Sequence, residues 1–203
     1  MEIKHNYELP DRNYIKTETT KKSIILGNLF SCPESNFIKW TTRHNGDYKK
    51  TAAFTIDVAG SIYRHFEPIY YSNFIGNLEL DKKNIIILLE NEGWLTKKPE
   101  ENKFIDWIGH IYNRPDKVVE KKWRNQQYWV PYTEQQMDSA VKLVSKLCDE
   151  FNIKKFATPH NTKIEDTENF EGIFYRSNLE KHYTDLSPAW SCENFKHRLE
   201  NEK

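Results

Sequence analysis

Apolar positions along the chain fall into a few dense runs separated by long polar stretches. The first run is Ser23 to Phe30, where Ile24, Ile25, Leu26 and Leu29 are nearly continuous and broken only by Gly27. Runs of that length and density fit a strand buried on both faces. Glycine inside such a strand marks a bulge or the close approach of another group. Asn84 to Leu89, NIIILL, is the most apolar run of all, which predicts the middle of a sheet; it delivers Glu90, Asn91 and Glu92 to its end. Between them, Phe37, Ile38 and Thr41 at helical spacing predict a short helix over Ser35 to His44. Thr51 to Val58 and Ser61 to Phe66, flanking Ala59-Gly60, read as a hairpin.

Farther on, Phe104, Ile105, Ile108 and Ile111, with Trp107, give the pattern of an amphipathic helix that ends near Pro115. A charged surface turn is expected over Lys97 to Glu101, and irregular chain rich in Trp, Tyr and Gln over Val118 to Val130. The clearest helix is Glu134 to Phe151. Thr133 and Gln136 form a capping box there, and Met137, Ala140, Val141, Val144, Leu147, Cys148 and Phe151 recur at three and four. A short strand, KKFAT, follows from Lys154, and a last helix is expected over Cys192 to Glu200.

This alternation predicts an α/β fold: one domain with a central mixed sheet flanked by helices over residues 22–203, preceded by a polar arm at 1–21. At 203 residues the chain is long enough for one sizeable core. Lysine plus arginine and aspartate plus glutamate balance at 30 each, so no net field draws the protein to nucleic acid or an anionic membrane. No run approaches the roughly 18 apolar residues of a membrane span, and residues 1–30 lack the apolar centre of a signal peptide. The expected location is the cytosol, unless a lysis or secretion system carries the protein to the cell wall. Cys32, Cys148 and Cys192 are an odd, widely spaced set and do not read as a disulfide framework. Trp94, Trp123, Tyr128, Trp129, Tyr175 and Trp190 stand in polar contexts, as would suit a groove that stacks on a ligand.

The candidate chemistry centres on Lys154 to Trp190. KKFAT delivers His160 to a strand end, where open α/β sheets place ligands, and Asp185 follows within a Tyr-Thr-Asp-Leu-Ser-Pro turn. Imidazole and carboxylate are a two-ligand half of a zinc site. Glu90, at the end of the apolar strand, is a candidate general base. Asn28, Glu92, Trp94, Arg176, Ser177 and Asn178 are candidate ligand contacts, since guanidinium forks onto carboxylate or phosphate while Ser and Asn read amides.

The succession of strand, His, loop, then Asp, a small residue and Pro resembles the zinc-dependent N-acetylmuramoyl-L-alanine amidases, the family that includes the peptidoglycan recognition proteins. The resemblance spans most of residues 22 to 200 and implies that family's mixed sheet and crevice. It also implies a first metal ligand at the position of Gly27, which has no side chain, and polar residues where Ala52 and Ala53 stand. Glu90 matches the acidic end of a family strand, whereas Tyr183 stands where a Lys is usual and Asp185-Leu186-Ser187-Pro188 where Asp-Pro-Gly is usual. Two readings follow from the resemblance. One is a binding protein without a cofactor, its metal site degenerate, holding a muropeptide or another small amide-bearing or anionic ligand. The other is an active amidase of the lactyl–alanine bond, with zinc on His160, Asp185 and a third donor such as His65 or His44.

Overall fold

The computed structural model describes residues 1–98, 103–160 and 162–202. Its central sheet has six strands, taken along the chain: β1 (Ile3–Lys4), β2 (Ser23–Leu29), β3 (Phe54–Ile56), β4 (Ile62–Arg64), β5 (Asn84–Glu90) and β10 (Gly172–Tyr175). Across the sheet the order is β1-β4-β3-β5-β2-β10. Only β3 and β4, the arms of the expected hairpin, run antiparallel; every other neighbouring pair is parallel. The two apolar runs of the sequence therefore lie side by side at the centre, with Ile24 opposite Ile85 and Leu26 opposite Ile87. They are buried on both faces, as parallel strands must be.

Helix α1 (Pro33–Thr42) follows β2 with proline in its first turn, α2 (Leu78–Lys83) leads into β5, and α3 (Glu134–Phe151) has the bounds its periodicity predicts. The Thr133–Gln136 capping box is formed, and the Asn152 cap adopts the left-handed conformation that ends a helix. Met137, Ala140, Val141, Val144 and Leu147 of α3 join one core with Ile24, Ile25 and Ile87. At about 25 cal/mol per Å² of apolar surface removed from water, such burial is the dominant stabilising term. Gln136 Nε2 donates to the Glu90 carbonyl at 2.8 Å, and Ser139 Oγ to that of Gly60 at 2.6 Å, which pins the start of α3 to the ends of β5 and the hairpin. Helix α4 (Cys192–Asn201) places Phe195 and Leu199 in the same core.

Several local expectations are corrected. Residues 103–111 are not a helix. Lys103–Ile105 is strand β7, paired with β6 (Trp94–Lys98), and Asp106 then turns the chain: its Oδ1 accepts the N–H groups of Ile108 and His110. An aspartate that captures the next backbone donors competes directly with helix. Trp107, Ile108 and Ile111 consequently stand more than half exposed. The stretch expected to be irregular holds β8 (Val119–Trp123) and β9 (Gln126–Trp129), an antiparallel pair joined through Arg124 and Asn125, both at positive φ. Together β7-β6-β9-β8 form a second, antiparallel sheet over a small core of Leu95, Phe104, Tyr112 and Val130. The expected turn at Lys97 to Glu101 begins within β6, and the rest of it, residues 99–101, lies outside the described residues.

KKFAT makes only the single bridge Ala157–Ile173, on the outer side of β10. Gly172, at φ +130, allows this approach, because a Cβ there would lie 2.5 Å from the Phe156 carbonyl oxygen. Residues 1–21 are more than a cover: β1 extends the sheet, Leu9 and Tyr14 enter the core, and the buried Asn13 amide donates to the carbonyls of Trp40, Gly46 and Tyr48. Among the described residues no helix is long and apolar enough to cross a membrane.

Candidate functional site

Because β10, β2, β5 and β3 are parallel, their C-terminal ends share one edge of the sheet, where α/β folds gather ligand-binding groups. Tyr175 of β10 is level with Leu26 of β2. The residues that follow them, Arg176 and Gly27, are neighbours. A Cβ on Gly27 would lie 2.9 Å from Asp185 Oδ2, 3.0 Å from Leu88 Cδ2 and 3.7 Å from Arg176 Cβ. The bare backbone at Gly27 is therefore a notch, and the Asp185 carboxylate fills it.

Asp185 is 2% exposed. Its Oδ2 accepts the Asn28 backbone N–H at 3.1 Å and lies 3.6 Å from Arg176 Nη1. Burial raises its pKa above the usual carboxylate range, opposed by the Arg176 charge and the Asn28 N–H. The Arg176 guanidinium is set over the Tyr183 ring at 4.0 Å and the Phe74 ring at 5.1 Å, so two aromatic faces and one carboxylate fix its position. The Asn28 side chain points to another partner. Its Oδ1 accepts from the Tyr132 hydroxyl at 2.6 Å, while its buried Nδ2 has no partner.

Two neighbouring hollows open along this edge. One, of about 310 Å³, is lined by Asn28, Trp40, Leu88 and Arg176 and by cations from α1 and the segment after it. The other, of about 490 Å³, is lined by Glu90, Glu92, Asp106, His110, Arg114 and Val58. Phe30, Ser31, Lys39 and Trp107 border both. Glu90 Oε2 accepts the Val58 N–H at 3.2 Å, and partial burial raises the pKa values of both Glu90 and Glu92. Trp94 lines a separate hollow with Arg124 and His182. Six of the residues singled out from sequence thus divide into three groups: Asn28 with Arg176 and Asp185, Glu90 with Glu92, and Trp94 by itself.

His160 packs against the Trp123 ring at 4.7 Å between centroids, and the Leu186 carbonyl is its backbone hydrogen-bond partner. Its Nε2 is buried without a partner, and burial lowers its pKa. The two reserve donors are placed elsewhere. His65 is fully buried, its Nε2 2.9 Å from Thr55 Oγ1 and its Nδ1 2.8 Å from the Tyr7 carbonyl, so both ring nitrogens are already engaged. His44 is exposed and packs edge-on to Tyr48. Among the described residues no three His, Cys, Asp or Glu side chains converge where they could hold a metal ion. The groups that do meet at the notch are one carboxylate and one guanidinium, and this donor set does not fit zinc, which takes three protein ligands in catalytic sites and four in structural ones.

Ser177 and Asn178, expected to contact ligand, face inward. Asn178 Oδ1 accepts from Thr158 Oγ1 at 2.9 Å and from the Tyr175 N–H at 2.7 Å; its Nδ2 donates to the carbonyls of Thr162 at 2.6 Å and Pro159 at 3.3 Å. Every hydrogen-bonding position of that amide is used within the fold. The Ser177 carbonyl accepts from Arg124 Nη2 at 2.7 Å, and Arg124 Nη1 bonds the carbonyls of Glu180 and Tyr183. Arg124, which sequence reasoning missed, thereby ties the tip of the β8–β9 hairpin to the segment that presents Asp185. Its one sequence signal is the adjacent Asn125, a residue that tolerates the left-handed turn conformation. Of the aromatics read as groove candidates, Trp129, Tyr175 and Trp190 are buried in the protein interior.

Comparison with solved structures fits this architecture. An N-acetylmuramoyl-L-alanine amidase, LysC from Clostridium intestinale URNW, superposes with a TM-score of 0.55 over 100% of this chain and 99% of its own, at 13% identity. A mutant of PlyL gives 0.57 over 100% of both chains at 13% identity. The fold is that of the N-acetylmuramoyl-L-alanine amidases. A third amidase-fold neighbour, the hydrolase AmiA of Staphylococcus aureus in complex with its ligand, gives 0.54 over 98% of this chain and 80% of its own, at 9% identity. No family model matches the chain, and no curated protein does.

Proposed function

We propose that this chain is a binding protein built on the amidase fold, with hydrolase activity reduced or lost. It holds a muropeptide-like or other small amide-bearing or anionic ligand in the crevice at the C-terminal edge of the sheet. The observation that carries this reading is the Gly27 notch, where Asp185 is matched by the Arg176 guanidinium. Zinc hydrolysis of an amide needs three protein donors and an open position whose water is acidified. A permanently charged guanidinium beside the carboxylate would instead repel a divalent ion. Arg176 thus supplies from within the chain the positive charge that Asp185 requires. The unpartnered Asn28 Nδ2 supports the ligand side of the proposal, because a buried amide donor at the crevice suits a ligand carbonyl oxygen.

Metal analysis of protein purified without chelator, together with turbidity of purified cell walls with and without added zinc, tests the reading. The expected result is folded protein without stoichiometric zinc and without clearing. Stoichiometric zinc that is lost in Asp185→Ala, accompanied by clearing, would establish an active amidase in its place.

A further inference from the structure

We propose that the hollow between α1 and Arg176 is a pocket for an organic anion, a carboxylate or phosphate carried on a small body that also offers a carbonyl oxygen. This rests on the binding reading above and narrows it to one compartment and one ligand class. Lys39, Arg43, Lys50 and Arg176 line the hollow, and no Asp or Glu does. Among the described residues Lys39, Arg43 and Lys50 form no ion pair, and Arg176 has only the buried Asp185. Three unpaired cations, with Arg176 matched by Asp185 beside them, repel one another around one void, and an anion bound between them removes that repulsion.

The two arginines are also positioned in an unusual way. Arg43 lies over the Tyr48 ring at 5.5 Å, and Arg176 over Phe74 and Tyr183. Stacking on an aromatic face orients a guanidinium while leaving its N–H edge for an oxyanion, which it can bind with two parallel hydrogen bonds. Asn28 lines the same hollow, and its buried Nδ2 has no partner within the fold. The adjoining compartment is of mixed charge: Glu90, Glu92 and Asp106 line it together with Lys39, His110 and Arg114. Phe30 and Trp107, whose ring centroids are 5.9 Å apart, stand between the two and direct a negative group to the Arg176 side.

The test is calorimetric titration of the full chain and of its Arg43→Gln and Lys50→Gln variants. Both side chains are exposed, so the variants retain the fold. The probes are inorganic phosphate, a muramoyl dipeptide with a free carboxylate, and the same dipeptide amidated. The expected result is saturable binding of the free acid, competition by phosphate, and about tenfold weaker binding both of the amidated form and by each variant. Equal binding of acid and amide, undiminished in both variants, overturns the anion pocket and leaves the broader binding reading standing. Phosphate binding that the variants lose, with neither dipeptide bound, upholds the pocket and overturns a muropeptide as its occupant. No saturable binding of either anion overturns the pocket outright.

Discussion

Asp185 and Arg176 form a pair in which one member is buried and the other is clamped between rings: Nη1 stands 3.6 Å from Oδ2, and the carboxylate is 2% exposed. Removing one partner of such a pair leaves an uncompensated charge, at a cost of roughly 3 to 5 kcal/mol. Arg176→Met is therefore expected to destabilise strongly, by about 3 kcal/mol since its side chain keeps some contact with water. Adding Asp185→Asn should restore a good part of the loss, because the remaining amide still accepts the Asn28 N–H. Urea unfolding of the two single variants and the double variant closes the cycle. Additive losses would show that the two residues are not coupled.

Gly27 gives a second handle on the same place. A methyl group there meets Asp185 Oδ2 at 2.9 Å and Leu88 Cδ2 at 3.0 Å, and neither is the free end of a long chain. Overpacking of this kind costs about 1 to 3 kcal/mol. Gly27→Ala is expected to lower the urea midpoint accordingly. Combined with Asp185→Ala, which empties the notch, the substitution should cost much less than it does alone.

These contacts explain which parts of the molecule could be read from the sequence. Strands β2 and β5 and helix α3 were legible because each is decided locally: an apolar run has to be buried, and a capping box before a 3–4 repeat has one reading. Residues 104–111 carry a helical spacing too, yet the Asp106 side chain takes the backbone donors that a helix would need. Strand β10 has only four residues, and its place beside β2 depends on a parallel partner distant in the sequence, which no local pattern encodes. The site divides in the same way. Asp185, Arg176 and Asn28 were each visible as polar candidates, Asn28 within the first predicted strand, Arg176 in a loop and Asp185 in a turn. That Arg176 pairs with Asp185 across the Gly27 notch, while His160 turns to Trp123, follows from the register of β10 on β2 and from the path of residues 176–185.

The Asn178 amide is a structural joint, and its substitution should show that. It links Thr158, Pro159 and Thr162 to the Tyr175 backbone through four hydrogen bonds, entirely buried. Asn178→Ala leaves buried donors and acceptors unmatched, each at about 1 to 3 kcal/mol before relaxation, so a total loss of about 2 to 4 kcal/mol is expected. Chemical denaturation measures it. A loss below about 0.5 kcal/mol, the level of an ordinary surface substitution, would contradict the role assigned here.

His65 sets the expected response to acid. Burial lowers its pKa to about 4, from an ordinary value near 6.5. The unfolded chain therefore binds a proton at this residue between those two values while the folded protein does not, and stability rises with pH across the interval. The contribution of the neutral, buried ring is complete above pH ~6.5 and declines as the pH falls toward ~4. Below that value it changes no further. A difference of about 2.5 pK units corresponds to roughly 3 kcal/mol. Urea midpoints measured at steps from pH 7 to pH 4 should fall in the native protein. In His65→Gln, which retains a side-chain donor and acceptor but does not titrate, the decline over the same interval should be much shallower. Parallel curves for the two proteins would assign the acid sensitivity to other groups.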